Sequence, residues 1–106
     1  MRKIIRIGDG KRAVLDTNAD SCLYADQRGL DPAHRQGIDV YMHLTKGGQR
    51  VFYKLVWSLY QNDTDYIEVI SEEEARQILE EKSQWMSKED VEVVKQVFPD
   101  FFEETA

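Results

Sequence analysis

The chain reads as an α+β domain: an antiparallel β-sheet of four to five strands, a hairpin plus a meander, followed by two C-terminal helices packed on one face. Three observations carry this reading. Apolar residues alternate with period two through Ile38–Leu44 and again through Val51–Tyr60. At Ser71 the apolar period changes to that of a helix. Gly8-Asp9-Gly10-Lys11 stands between two apolar runs, the chemistry of a tight hairpin turn. Strands first and helices afterwards is the element order of α+β folds. Residues 1–106 form one domain, with the sheet over 2–70, the helices over 71–98 and a tail over 99–106.

The first hairpin joins Ile4–Ile7 to Ala13–Leu15. Symmetric pairing about the Asp-Gly turn sets Ile5 opposite Val14 and Lys3 opposite Asp16. From Asn18 to Gly37 no period is sustained and turn chemistry recurs (Asp20-Ser21, Arg28-Gly29, Asp31-Pro32, Gln36-Gly37), with room for a short strand at Cys22–Ala25. A segment of this length without regular structure is unusual in a compact domain, and such loops often carry function. Ile38, Val40, Met42 and Leu44 then predict a strand with one buried face. Val51–Tyr60 predicts a central strand: its odd positions are all apolar or aromatic, its even positions mixed. Tyr66–Ile70 returns beside it. Setting Leu59 opposite Ile67 and Trp57 opposite Val69 keeps the core face continuous and leaves Glu68 on the mixed face.

Ser71 followed by Glu74, and Ser87 followed by Asp90, each read as a capping box opening a helix. Ala75, Ile78 and Leu79 make the buried stripe of the first helix; Val94, Val97 and Phe98 make that of the second. Pro99 ends the second helix, and Phe101-Phe102 dock the tail.

Charge is split along the chain. Residues 1–50 carry nine Lys/Arg against six Asp/Glu, and residues 51–106 carry five against fourteen, for −6 in total. The positive excess is concentrated in Arg2, Lys3, Arg6, Lys11 and Arg12, and the negative excess follows Ser71. One cysteine, Cys22, excludes an internal disulfide framework and fits a reducing compartment. No apolar run has the length of a membrane span, and the first residues lack the apolar core of a signal peptide. The expectation is a cytoplasmic protein without membrane partners.

No motif assigns a cofactor or a metal. Gly8-Asp9-Gly10-Lys11-Arg12-Ala13 matches the dinucleotide fingerprint in letters, but the residues that follow read as a strand where the fingerprint needs a helix. Asp16, Asn18 and Asp20 have the opening spacing of a calcium loop. Ser21 replaces the glycine of its sharp turn, and Gln27 its closing glutamate. Cys22 as a nucleophile needs His34 or His43 nearby and a lowered thiol pKa. Asp26, Arg28, Asp31 and His34 make the dense polar cluster of the long loop and are the candidates for a small-ligand or catalytic site.

Two surfaces remain. Glu73, Glu80, Glu81 and Glu89 on the helices, with Tyr41, Phe52, Tyr60 and Tyr66 on the mixed sheet face, are the candidate contacts for a protein partner. Arg2, Lys3, Arg6, Lys11 and Arg12 are the candidate contacts for nucleic acid. The sequence therefore points first to a small non-enzymatic protein-binding domain, regulatory or inhibitory, and second to a nucleic-acid-binding regulator. A homodimer in which the basic hairpin of each copy meets the acidic helices of the other is compatible with the charge split.

Overall fold

A computed structural model describes residues 1–29 and 34–106. Six strands, β1 (Arg2–Gly8), β2 (Lys11–Asp16), β3 (Ser21–Ala25), β4 (Gln36–Leu44), β5 (Arg50–Ser58) and β6 (Tyr66–Ile70), precede α1 (Glu72–Lys82) and α2 (Lys88–Val97). A 3₁₀ turn, Ser83–Trp85, lies between the helices. The fold is α+β with antiparallel strands, as the element order predicts. The strands divide into two sheets: the hairpin β1–β2 stands alone, and β3-β4-β5-β6 form a meander.

The sheet of four is therefore covered on both faces. On one, Leu23, Tyr24, Val40, Phe52 and Ile70 pack against Ala75, Leu79, Val94, Val97 and Phe98 of the helical segment. On the other, Tyr41, Val51, Tyr53, Leu55 and Ile67 pack against Leu15 of the hairpin, with Ile5, Ile7 and Cys22 alongside. Sequence alternation suggested one buried face for β4; the hairpin covers Tyr41 on the second and Arg28 covers Asp39, so Asp39, Val40 and Tyr41 are buried in succession. The molecule's shortest dimension is 20 Å, the thickness that two interlayer spacings of about 10 Å produce.

Two β-bulges make the faces match. Near the Asp-Gly turn the pairing is the symmetric one, Gly8 opposite Lys11, but Ile7 is an extra residue. Beyond it the register moves by one, so Ile5 faces Ala13, Ile4 faces Val14, Lys3 faces Leu15 and Arg2 faces Asp16. The symmetric register expected for Ile5 and Lys3 is thus corrected. Without the bulge, Leu15 would lie on the face opposite Ile5, and the hairpin would have no single apolar side. In β3 the pairing jumps from Cys22–Tyr41 to Tyr24–Val40. The extra residue, Leu23, is then buried together with Tyr24 under the helices.

The β5–β6 register keeps the expected parity but slides by four residues: Ile67 faces Leu55 and Val69 faces Tyr53. Glu68 lies on the mixed face as expected, opposite Lys54 at 3.5 Å. The longer connection that results is held by Ser58, whose N–H donates to Asp65 (3.1 Å) and whose hydroxyl donates to Asp63 (2.7 Å).

Both helices start where the serines predict. Ser71 Oγ accepts from the Glu74 N–H at 3.0 Å, the forward half of a capping box. At Ser87 both halves are present, with Asp90 accepting from the Ser87 N–H at 3.2 Å. Among the described residues no helix is long and apolar enough to cross a membrane.

One carboxylate ties the hairpin to the sheet. Asp20 accepts from the Asp16 N–H (2.9 Å) at the end of β2, from the Tyr53 hydroxyl (2.6 Å) on β5, and from His43 Nδ1 (2.7 Å) on β4. Burial pushes its carboxyl up, but these three bonds outweigh burial and hold it below the ordinary 3.8. A carboxyl depressed in the fold adds stability above its unfolded pKa, and that stability is lost as pH falls through the lower folded value. Replacing Asp20 by Asn is therefore expected to cost about 1–3 kcal/mol at neutral pH. In urea unfolding across the acid range the deficit should shrink below the ordinary carboxyl pKa; a deficit independent of pH would contradict this role.

Candidate functional site

At the end of the sheet where α1 finishes, two adjoining grooves share Asp26, Gln36 and Lys82. The larger, about 700 Å³, runs between Gly37–Ile38, Val56–Ser58, Asp63–Thr64, Tyr66 and Glu81. The smaller, about 570 Å³, is bounded by Tyr24–Gln27, His34, Trp85, Ser87 and Asp90. The larger groove exists because α1 covers only part of its sheet face. Ile38, Val56 and Tyr66 are lateral neighbours on β4, β5 and β6 and are not fully covered.

Asp26 forms the ridge between the grooves. Its N–H donates to the Ile38 carbonyl (3.1 Å) and its carboxylate accepts from the Ile38 N–H (2.9 Å), which prolongs the β3–β4 pairing by one residue. The same carboxylate pairs with Lys82 at 3.1 Å, joining the loop to the end of α1. The Lys82 ammonium lies 6.0 Å from the Tyr24 ring and 5.9 Å from the Trp85 ring. Burial, with the Asp26 carboxylate beside it, raises the Tyr24 hydroxyl well above the ordinary tyrosine value.

Behind the larger groove lies the buried carboxylate of Asp39, 3% exposed. It accepts from Trp57 Nε1 (2.9 Å) and from Arg28 (2.7 Å), while the Arg28 guanidinium covers the Trp57 ring at 4.3 Å. Arg28 thus pins its loop across the sheet end. Gly37 is required at this crossing. A Cβ there would stand 2.6 Å from Trp57 Cζ2 and 2.7 Å from Asp26 Cβ.

The structure regroups the residues singled out in the sequence. Asp26, Glu81 and Tyr66 come together in the larger groove, and Asp26 and His34 in the smaller. Arg28 turns to Asp39, and Asp31 lies outside the described residues. Glu73, Glu80 and Glu89 are exposed on the helices and line neither groove. The aromatic set does not form one platform. Tyr41 stacks on Tyr53 at 5.2 Å under the hairpin, Phe52 stacks on Phe98 at 5.4 Å under the helices, and both are buried. Paired strands place Tyr41 with Tyr53, on the face opposite Phe52. Tyr60 and Tyr66 remain exposed.

Burial, then Asp39 and Asp90, push the Cys22 thiol up to about 11. It is therefore protonated at neutral pH and a poor nucleophile. The carboxylates of Asp16 and Asp20 are engaged within the protein, Asp16 with the Asn18 N–H at 2.9 Å and with Arg2, and Asp20 with the Asp16 N–H, Tyr53 and His43. Gly8–Lys11 is the hairpin turn, with Gly10 at φ +70°.

Trp85 was not legible as a site residue. It sits in the 3₁₀ turn between the helices, 63% exposed. Its one signal is a tryptophan off the apolar stripe of either helix.

Comparison with protein-family models, curated proteins and solved structures returns no match.

Substitution of Asp39 by Ala leaves the buried Trp57 N–H without its acceptor and frees Arg28, at an expected cost of about 2–3 kcal/mol. Gly37→Ala forces the Trp57 ring aside and is expected to cost about 1–3 kcal/mol. Chemical unfolding followed by tryptophan fluorescence measures both, and unchanged midpoints would refute the packing described here.

Proposed function

We propose that this chain is a non-enzymatic protein-binding module that holds an Arg- or Lys-bearing segment of its partner in the two grooves at the sheet end. The observation that carries this reading is the pairing of exposed aromatics with carboxylates. Trp85 and Tyr66, 63% and 53% exposed, flank grooves lined by Asp63, Glu81 and Asp90. Solvent-exposed tryptophan adds nothing to a core, whereas Trp, Tyr and Arg dominate the energetics of protein interfaces. Aromatic faces attract guanidinium and ammonium groups, and carboxylates at the rim bind the same groups by charge-assisted hydrogen bonds. Lys82 on the ridge is already paired with Asp26, so among the described residues the rim carries unpaired carboxylate charge.

The remaining chemistry of the grooves favours binding over catalysis. The Asp26 carboxylate is neutralised by Lys82, and the Tyr24 hydroxyl is held in its protonated form. Glu81 contributes a carboxylate to the rim of the larger groove. Glu73, Glu80 and Glu89 add to the negative field that steers a basic partner rather than touching it.

A fluorescein-labelled oligo-arginine peptide is a direct probe, with oligo-glutamate as control. Binding followed by anisotropy is expected for the first peptide alone. Trp85→Ala should weaken it by about 2 kcal/mol, roughly 30-fold, with no change in melting temperature. Charge reversal at Asp63 and Glu81 should slow association most at low salt. Equal affinity in the Trp85→Ala variant would end this reading.

A further inference from the structure

The outer face of the β1–β2 hairpin lies outside both cores and outside the two grooves at the sheet end, and touches only the cleft beside α1, through Arg6. It carries three cross-strand pairs: Arg2 with Asp16, Ile4 with Val14, and Arg6 with Arg12. Like charges directly opposite one another destabilise a β-ribbon, and Ile4 and Val14, 60% and 46% exposed, bury little in return. Two of the five basic residues are engaged internally. Arg2 pairs with Asp16 at 3.5 Å, and Lys3 donates to the Ile67 carbonyl at 3.1 Å, covering the edge of β6. Among the described residues no carboxylate pairs with Arg6, Lys11 or Arg12, which cluster at the turn end of the ribbon. The positive charge is thus concentrated at a projecting two-stranded tip.

We infer that the outer face of this hairpin is a docking surface for a DNA duplex, entered through the major groove. Two strands about 4.8 Å apart form a ribbon that fits the groove of B-form DNA, about 12 Å wide; the deep, narrow major groove of A-form RNA excludes it. Arg6 and Arg12 lie side by side on the face that meets base edges or phosphates, and Lys11 reaches a phosphate from the tip. Ile4 and Val14 offer apolar contact of the kind that thymine methyl groups accept.

The overall charge of −6 does not oppose this, because the structure separates the two signs. Residues 71–106 carry four Lys/Arg against eleven Asp/Glu, a net of −7, and pack on the opposite face of the sheet. Two layer spacings, about 20 Å, exceed two Debye lengths at physiological salt, about 8 Å each. Arg6 and Glu72 both line the 350 Å³ cleft between β1 and the start of α1, where Glu72 is already paired with Arg50 at 2.6 Å.

The experiment is an anisotropy titration of a labelled DNA duplex of about 20 bp with the full chain over a range of salt. Three phosphate-neutralising groups predict a slope of about −3 in log K against log salt. The double variant Arg6→Ala/Arg12→Ala should reduce that slope by about 2 and weaken binding at low salt by more than about tenfold. Its melting temperature should equal or exceed that of the parent, since a repulsive pair has been removed. Trp85→Ala, remote from the hairpin, should bind DNA as the parent does. Absence of binding at low salt, equal binding by the double variant, or a preference for duplex RNA would each overturn the assignment. So would hairpin-dependent self-association in light scattering without DNA binding.

Discussion

The hairpin is tied to the sheet of four through one carboxylate, that of Asp20, with Lys3 adding a bond to the Ile67 carbonyl at 3.1 Å. The β2–β3 connection is short, and nothing in its backbone obliges the hairpin to fold down onto the meander rather than stand away from it. Asp20 removes that freedom. It receives hydrogen bonds from the end of β2, from the fully buried Tyr53 of β5 and from His43 of β4. Each donor belongs to a different strand, so all three are satisfied only when the hairpin lies on the sheet. The apolar contact then follows: Leu15, Ile5 and Ile7 cover Tyr41, Tyr53 and Leu55, and Tyr53 is stripped of water. Burial of the hydroxyl and satisfaction of the carboxylate are one event, which is why the network is stable despite the cost of burying a charge.

The opposite end of the sheet repeats the device with Asp39. There the carboxylate binds Trp57 and Arg28, and the loop that leaves β3 is drawn across the strand ends. This positions Asp26 against the end of α1 and creates the ridge between the grooves. Both buried carboxylates lie on the hairpin side of the sheet, next to tyrosine or tryptophan donors. The helix side is built instead from aliphatic and phenylalanine contacts, with Phe98 stacked on Phe52 and Arg76 over the Phe98 ring at 4.3 Å. Arg50 adds directional bonds on that side too, donating to the Val97 carbonyl and to Glu72, both at 2.6 Å.

Much of the fold was legible because it depends on local chemistry. The Asp-Gly turn, the alternation in β4 and β5, and the serine caps at 71 and 87 each act within a few residues. What was illegible depends on long-range fit. An extra residue at Ile7 and another at Leu23 reset which side chains share a face, and no local pattern announces a bulge whose purpose is to match a distant surface. Long-range pairing also divides the aromatic set: the β4–β5 register sets Tyr41 beside Tyr53, on the face opposite Phe52. Glu81 and Tyr66 were singled out for separate reasons, and only the incomplete cover of α1 brings them to one groove. Trp85, at a turn between helices, had no periodic context to mark it.

The charge split along the chain separates into a part that folding explains and a part that it does not. Glu72, Glu73 and Glu74, and again Glu89 and Asp90, occupy first turns of helices, where unsatisfied backbone N–H groups favour anions. Their presence needs no partner. Arg6 and Arg12 have no equivalent account. They face one another across a two-stranded ribbon, a placement that weakens the hairpin; the acid-rich helices pack on the other face of the sheet, and Glu72, which shares a cleft with Arg6, is taken by Arg50. Exposed Trp85 is similar in kind, because its ring adds little to the packing of either helix. A small domain with limited stability retains such residues where contact with another molecule compensates for their cost. By this criterion the acidic helices are mainly a folding device, whereas the basic ribbon and the aromatic rim of the grooves hold residues whose placement folding alone does not explain.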